Sequence, residues 1–321
     1  MKRVALVLAV LAVVGCKKAE PTQPPAPGAA PIATGSATGS AAAPADDPWA
    51  KSQAPKKKDP LPHPLFWSLE KDGKTSYALG TIHVGIDAEL RLPQFVWDKL
   101  DAAPAFAMET DLGDTKIAED LQKCDKCSLK RELGPEYYAK LEKRLGKGKA
   151  AAIDPMQPAI AATMLSLEGM EMTPPMDGTL LGRAKNKDKR IIYLEPAALQ
   201  AKLLLKWMNV KALKAMLDEE NMAANLNELR DAYIIGDEAK MEAEMADDKA
   251  SNLAHGYTAE EYDLQMKEML LDRNASWIAP IEAMHAGGGG FIAVGAAHLI
   301  GKGSVLDLLT KKGFKVTRVQ P

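Results

Sequence analysis

The 321-residue sequence predicts an α/β fold, in which a mixed or mostly parallel central sheet is flanked by helices and a helix-rich insertion forms a cap. Three observations predict this class. Short apolar segments typical of strands alternate with segments of helical periodicity, as in parallel sheets. Two of these strands end in the same Gly-x-x-His pattern, more than 200 residues apart. A long region between them carries apolar residues at helical spacing.

The first sixteen residues are predicted to be a secretory signal peptide. Lys2 and Arg3 precede an apolar run that is too short to span a bilayer, and the run closes on VVGC, which ends at Cys16. This ending resembles a bacterial lipobox. It implies a lipid anchor on Cys16 and a location in the bacterial cell envelope, and in a Gram-negative cell Lys17 favours the outer membrane, with the domain in the periplasm. An ordinary signal peptide is the alternative.

Residues 17–60 are predicted to form a disordered tether, because Pro, Ala, Gly, Ser and Thr bury too little apolar surface to offset the entropy lost on ordering. The folded domain is predicted over 61–321. It opens with a β-hairpin, in which FWSLEK and SYALG are joined by a turn at Asp-Gly-Lys. A helix at 94–103 and the buried strand AFAMETD follow, which completes a β-α-β rhythm.

The region from about 114 to 250 is predicted to be the helical insertion, interrupted by the strand RIIYLE. Its first helices are expected at about 114–123, 135–145 and 155–170. A long helix then begins at a capping box formed by Thr258 and Glu261, and Pro280 is expected to kink or divide it. The strand FIAVG, the helix VLDLLTKKG and the strand KVTRV complete the domain.

Charge and cysteine content exclude some classes of protein. A net charge of −2 gives no reason to expect binding to nucleic acid. Cys124 and Cys127 form one CxxC pair, which is compatible with a redox pair, half of a zinc site or a local disulfide. Because the chain has no second CxxC and the predicted compartment is oxidising, the disulfide is favoured.

Four predicted strands end in side chains that can carry chemistry: His83, Glu109, Glu195 and His298. Ligands of open α/β sheets bind at the carboxyl edge of the strands. Two imidazoles and two carboxylates at one edge can hold a divalent metal ion or supply acid–base catalysis. A single Gly-x-x-His or strand-end glutamate occurs often by chance, so it is the repeat that favours a functional site.

The motifs of residues 63–320 resemble the TraB/GumN family, which is related to the Tiki proteases of animals. LGTIHVG and VGAAHLIGKG are similar to the two Gly-x-x-His motifs of the family, and METD to its glutamate strand. Other matching residues are Asp177, Glu195 and Gln200 in the central part, and Arg273, Asn274 and Trp277 in an Arg-Asn-x-x-Trp helix. Pro196 departs from the family pattern, in which Thr is commoner, and the CxxC region is a local addition.

The resemblance implies an erythromycin-esterase-like or ChaN-like fold and a metal-dependent, metalloprotease-like hydrolase. His83 and His298 would bind a divalent ion, with Mn, Co and Zn as candidates and with Glu109 or Glu195 as the third ligand, and the remaining carboxylate would accept a proton from water. Arg273 would stabilise a developing oxyanion or, as the favoured role, pair with a carboxylate. The substrate would be a peptide or a small ester or amide.

Two alternatives remain open at this stage. In the first, a histidine oriented by Glu109 acts as a base without a metal. In the second, the same edge of the sheet captures an envelope ligand without turning it over. Two carboxylates beside two histidines favour chemistry over simple capture.

Overall fold

The computed structural model describes residues 59–320, apart from 115–118, 120, 122 and 123. The predicted signal peptide, Cys16 and nearly all of the predicted tether lie outside these residues, as does most of the helix expected at 114–123. No helix in the described part of the chain combines the length and the apolar character needed to cross a membrane.

Within the described residues, six strands form one sheet in the spatial order β4-β3-β5-β2-β1-β6. They are β1 Phe66–Lys71, β2 Lys74–Thr81, β3 Ala105–Met108, β4 Arg190–Tyr193, β5 Phe291–Gly295 and β6 Lys315–Arg318. The neighbours from β4 to β2 are parallel, and β1 is antiparallel to both β2 and β6. The prediction of a mixed, mostly parallel sheet is confirmed. Because β5 lies between β3 and β2, the carboxyl ends of these three strands are side by side.

The described helices surround this sheet and build the predicted insertion. They are α1 Ala88–Arg91, α2 Gln94–Ala102, α3 Leu129–Leu145, α4 Lys147–Ile153, α5 Pro158–Ser166, α6 Met176–Asn186, α7 Ala197–Trp207, α8 Val210–Asp218, α9 Met222–Ile235, α10 Glu238–Ala254, α11 Ala259–Met266, α12 Asp272–Ala286 and α13 Val305–Lys311. Shortly before α3, Cys124 and Cys127 are joined in a disulfide.

The long C-terminal helix is interrupted at a different place from the one predicted. The Thr258–Glu261 capping box starts α11 as expected. Pro280, however, lies inside α12, and the irregular segment is a π-helical turn, Lys267–Leu271, between α11 and α12. Such turns are frequent at functional sites. Here the turn ends two residues before Arg273.

The apolar side chains of the described residues form two cores. The larger one packs the sheet against α2, α6, α12 and α13, and its fully buried members include Phe106, Phe291 and Trp277. The smaller one is built mainly from α3, α4, α5, α7 and α8. The region 114–250 is therefore divided between the two cores. It contacts the sheet at two places: β4 is one of the strands, and Tyr233 of α9 donates a hydrogen bond to the carbonyl of Gly80 (2.8 Å).

The two ends of the folded region are adjacent. Strand β1 pairs with β6 over the register Trp67–Arg318 to Glu70–Lys315. Beyond this pairing, Nδ1 of His63 lies 2.5 Å from Oε1 of Gln320. The first and last described strands thus occupy one side of the sheet, away from β4.

Candidate active site

Three side chains meet beside Gly295, at the carboxyl end of β5. A Cβ atom placed on Gly295 would lie 3.2 Å from Oε1 of Glu109, 3.6 Å from Cδ2 of His298 and 3.9 Å from Nε2 of His83. His83 follows β2, Glu109 directly follows β3, and His298 ends a short 3-10 turn after β5. The parallel pairing of β2, β5 and β3 therefore brings together residues that are up to 215 positions apart in the sequence.

His83 is oriented by a carboxylate from α6. Its Nδ1 donates to Oδ2 of Asp177 at 2.6 Å, and the hydroxyl of Thr81 donates to Oδ1 of the same carboxylate at 2.7 Å. The imidazole is 5% exposed, and its Nε2 has no hydrogen-bond partner among the described residues. His83 lines a cleft whose other lining residues are Met108, Glu109, Thr110, Leu112, Asp177 and Gln200.

His298 is oriented by an amide from α12. Its Nδ1 lies 2.6 Å from Oδ1 of Asn274, and Nδ2 of Asn274 donates to the carbonyl of Gly303 at 3.0 Å. Since the second bond fixes which end of the amide faces the ring, Nδ1 of His298 carries the proton and Nε2 carries the lone pair. The ring of Trp277 packs against the imidazole with the ring centres 4.4 Å apart.

Glu109 lies at the centre of a buried hydrogen-bond network. Its Oε1 accepts from the backbone N–H of Gly295 at 2.8 Å, and its Oε2 accepts from Arg273 at 2.8 Å and from Gln200 at 3.2 Å. The guanidinium of Arg273 also donates to Glu195, from Nε at 2.9 Å and from Nη2 at 2.7 Å. Its Nη1 donates to the carbonyl of Met269, within the π-helical turn.

Glu195 is placed differently from the other strand-end residues. Its carboxylate accepts from Arg273 and from Nε1 of Trp277 (3.1 Å), and it does not line the cleft. Its carboxylate is linked to that of Glu109 through the shared guanidinium, and its backbone N–H donates to the carbonyl of Glu109 at 2.9 Å. Arg273 is 2% exposed and takes part in ion pairs with both carboxylates, which makes it the positive centre between them.

The two histidines have different surroundings, which shift their pKa values in opposite directions. Burial lowers the pKa of His298 to about 3, with the attraction of Glu109 only partly opposing it. Burial also acts to lower the pKa of His83, but the charge and the hydrogen bond of Asp177 outweigh it and raise that pKa. For Glu109, burial acts to raise the pKa, and the charges of Arg273 and, in acid, of protonated His298 overcome it, so that the pKa falls to about 2. Near neutral pH, Glu109 is ionised and His298 is neutral.

These pKa values predict loss of stability in acid. Between pH 6.5 and about 3 the unfolded chain binds a proton at His298 that the folded protein does not bind, so the free energy of unfolding falls as the pH is lowered through this window. Glu109 extends the loss from pH 4.5 down to about 2. His83 acts in the opposite sense, since its stabilisation is present below pH 6.5 and is lost as the pH rises through its raised pKa.

Urea unfolding in the presence of a chelator at pH 7, 5 and 3.5 measures this dependence. The variant His298→Gln removes the titrating imidazole and is expected to show a shallower loss between pH 6.5 and 3 than the unmodified chain. An equal slope in the two proteins would contradict the assignment of the acid loss to His298.

The imidazole nitrogens and carboxylate oxygens of the site are atoms that bind divalent ions, but their spacing in the structure is not that of a metal site. Among the described residues, no three His, Cys, Asp or Glu side chains are gathered closely enough to hold a metal ion. The two imidazoles are nevertheless anchored through Nδ1, which is the usual arrangement of metal-binding histidines. The adjoining cleft has about 10 Å³ of room, close to the space of one water molecule.

Sequence reasoning located these groups but did not assign roles to all of them. Asp177 and Asn274 were recognised only as motif residues, and the structure gives each an imidazole to orient. Thr110 was not singled out, although it lines the cleft next to Glu109. Its position directly after a strand-end acid was the signal available in the sequence.

The fold and the site together define an α/β protein whose sheet brings two Gly-x-x-His histidines and a strand-end glutamate to one edge. The model of the TraB/PrgY/gumN family matches residues 65–318, and the chain belongs to this family. The family resemblance seen in the motifs is thereby confirmed. Neither a curated protein nor a solved structure matches the chain.

Proposed function

We propose that the protein is a metal-dependent hydrolase of the bacterial cell envelope, held there by a lipid on Cys16, that cleaves a peptide or a small ester or amide. Membership of the TraB/PrgY/gumN family and the grouping of His83, Glu109 and His298 support this proposal. The lipobox-like ending at Cys16 supports the location.

One observation carries the metal proposal: Nε2 of His298 lies 3.9 Å from Oε1 of Glu109. The bond to Asn274 places the proton of the neutral ring on Nδ1, so the lone pair of Nε2 and an ionised carboxylate oxygen occupy the same small volume. Two electron-rich atoms at this distance in a buried site repel each other, and a cation between them would turn the repulsion into attraction. A divalent ion bound by His83, His298 and Glu109 would remove this repulsion.

The charge balance of the buried site supports the same conclusion. Glu109, Glu195 and Asp177 are each 5–6% exposed, and one guanidinium, that of Arg273, lies among them. Buried charges are normally paired, because the desolvation of an uncompensated ion is costly. Without a metal, a protonated His83 would offset the charge of Asp177, as its raised pKa favours. With a divalent ion bound and both imidazoles neutral, the ion and the guanidinium would balance the three carboxylates.

The residues of the chain then have distinct tasks. His83, His298 and Glu109 would hold the ion, and the ion would supply Lewis acidity that polarises the scissile carbonyl. Asp177 and Asn274 fix the orientation and the tautomer of the two imidazoles. Arg273 helps to keep Glu109 ionised and holds both Glu109 and Glu195 in position. In the overall reaction, water adds to the carbonyl carbon and the leaving group departs with a proton.

Metal analysis and hydrolysis assays on the purified chain test the proposal. We expect one bound Mn, Co or Zn per chain and cleavage of fluorogenic peptides or p-nitrophenyl esters. We expect His83→Ala and His298→Ala to lose both the metal and the activity. His255→Ala is the matched control, because His255 lies at the end of α10 and bonds to Ser251 of its own helix. Full activity in both site variants would overturn the proposal.

A second candidate is a hydrolase that uses His83 as a base without a metal. It is favoured by the 2.6 Å bond between His83 and Asp177 and by the unpartnered Nε2 of His83, a residue that lines the cleft. In this reaction Nε2 accepts a proton from water as the oxygen attacks the carbonyl, and the proton then passes to the leaving group. Full activity after exhaustive chelation, together with loss of activity in Asp177→Asn, would favour this candidate over the metal enzyme.

The two glycines of the repeated motif predict different effects of added side chains. A Cβ on Gly295 would press on Oε1 of Glu109 at 3.2 Å, so Gly295→Ala is expected to lower hydrolysis several-fold by displacing that carboxylate. A Cβ on Gly80 would meet Cα of Ala296 at 3.1 Å and Cβ of Leu65 at 3.3 Å. Gly80→Ala is therefore expected to cost about 1–3 kcal/mol of stability through overpacking.

Parallel measurement of kcat/KM and of urea unfolding separates the two effects. Gly178→Ala in α6 is the control, because a Cβ there would meet only an ordinary contact at 3.9 Å. Equal losses of stability at Gly295 and Gly80, with no loss of activity at Gly295, would contradict the separate roles.

A further inference from the structure

The cleft beside Glu109 contains a second buried polar atom without a partner. Among the described residues, Oγ1 of Thr110 makes no hydrogen bond, and Thr110 is 2% exposed. It shares the cleft with Nε2 of His83, which is also unpartnered. A buried hydroxyl without a hydrogen bond is destabilising, so its retention in a folded core calls for a reason.

The polar neighbours of Thr110 in the cleft form their hydrogen bonds with other groups. Glu109 accepts hydrogen bonds through both of its oxygens, Asp177 does the same, and Gln200 donates to Glu109. The remaining lining residues, Met108 and Leu112, offer only apolar side chains. The hydroxyl of Thr110 can both donate and accept a hydrogen bond, and no contact among the described residues uses it.

The size of the cleft indicates what the hydroxyl contacts. About 10 Å³ of room is close to the space that one water molecule needs. Thr110 is the next residue after Glu109 at the end of β3, so its hydroxyl and that carboxylate are fixed by the same backbone. A water molecule in this cleft would lie beside Glu109 and His83.

We propose that Thr110 is a further catalytic residue, whose hydroxyl hydrogen-bonds the water molecule that attacks the substrate. The role rests on the proposed hydrolase function and holds for both the metal and the metal-free reaction, because the hydroxyl only orients the water. The proton of Thr110 stays on its oxygen throughout. Orientation of a reactant contributes to kcat more than to binding, because it is required only when the water attacks.

The experiment compares Thr110→Val with Thr110→Ser in the full chain. Valine keeps the shape and removes the hydroxyl, so we expect kcat to fall about tenfold with KM little changed, and serine to restore most of it. The melting temperature of Thr110→Val is expected to be unchanged or higher, since a hydroxyl without a protein partner is removed. Thr163→Val is the matched control, because the buried hydroxyl of Thr163 donates to Ala159 within α5 and lies outside the cleft. Its melting temperature should fall and its activity should not.

Other outcomes would overturn the assignment. Unchanged kcat in Thr110→Val, or a rise in KM alone, would exclude a role in orienting the attacking water. If the unmodified chain cleaves none of the probes, the hydrolase proposal fails. Crystal structures of the unmodified chain and of Thr110→Val then test independently whether Thr110 binds a water molecule. An ordered water within hydrogen-bond distance of Oγ1, lost in Thr110→Val, would support the water site, whereas no ordered water there would refute it.

Discussion

Replacing Arg273 with methionine is expected to destabilise the folded protein by about 3–5 kcal/mol, the usual cost of removing one partner from a buried ion pair. The guanidinium donates to both Glu109 and Glu195, and it is 2% exposed. Without it, two buried carboxylates would face each other with no cation between them. Protonation of Glu195, whose pKa burial already raises, would relieve only part of this cost.

Urea unfolding at pH 7 measures the loss, and two further variants define its origin. Arg273→Lys keeps the charge but cannot bond both carboxylates in the same planar geometry, so an intermediate loss is expected. Lys267→Met removes a cation from the exposed pair with Asp272, where the two side chains are 60% and 53% exposed, and should cost no more than about 1 kcal/mol. A loss below about 1 kcal/mol in Arg273→Met would show that the network contributes little.

Replacing Asp177 with asparagine is expected to weaken metal binding and kcat/KM by about 10- to 100-fold, as is usual for groups that orient a ligating histidine. The amide can still accept from Nδ1 of His83, but it has no negative charge. Since the charge and hydrogen bond of Asp177 raise the pKa of His83 against the effect of burial, that pKa should also fall. NMR titration of His83 and calorimetric titration with Mn²⁺, Co²⁺ and Zn²⁺ measure the two effects.

Asp101→Asn is the matched control for this substitution. Asp101 also forms a close ion pair, with Arg183 at 2.6 Å, but it lies at the end of α2 and outside the cleft. Its replacement should leave metal affinity unchanged. Unchanged affinity and an unchanged His83 titration in Asp177→Asn would show that the bond to Asp177 does not tune the imidazole.

Local sequence signals were sufficient to predict most of the sheet. The hairpin from Phe66 to Thr81 and the strand Phe291–Gly295 follow directly from apolar runs bounded by turn residues. The helix predicted at 135–145 begins directly after Gly134, whose positive φ of 74° kinks α3 ahead of Pro135, but the part of α3 from Leu129 to the kink was not predicted. The place of interruption in the C-terminal helix was also missed. A π-helical turn has no composition signal, whereas Pro280 has a strong one and is tolerated in α12.

The residues of the site could be predicted from the sequence, but most of their contacts could not. The repeat of Gly-x-x-His gave His83 and His298 the same local context, yet one ring bonds to a carboxylate and the other to an amide. These partners come from α6 and α12, so the difference depends on tertiary packing that no local pattern encodes. Glu195 shows the same limit: it ends a strand beside Glu109, but its contacts turn it towards Arg273 and away from the cleft.

The adjacency of His63 and Gln320, and the pairing of β1 with β6, make the domain a suitable subject for circular permutation. A short glycine-serine linker between these two positions would close the backbone with little strain. New termini could then be opened between Gly287 and Gly290, where the chain turns between α12 and β5 through two positive φ angles. In such a rearranged chain the second Gly-x-x-His motif would lie near the new amino terminus and would be synthesised before the first.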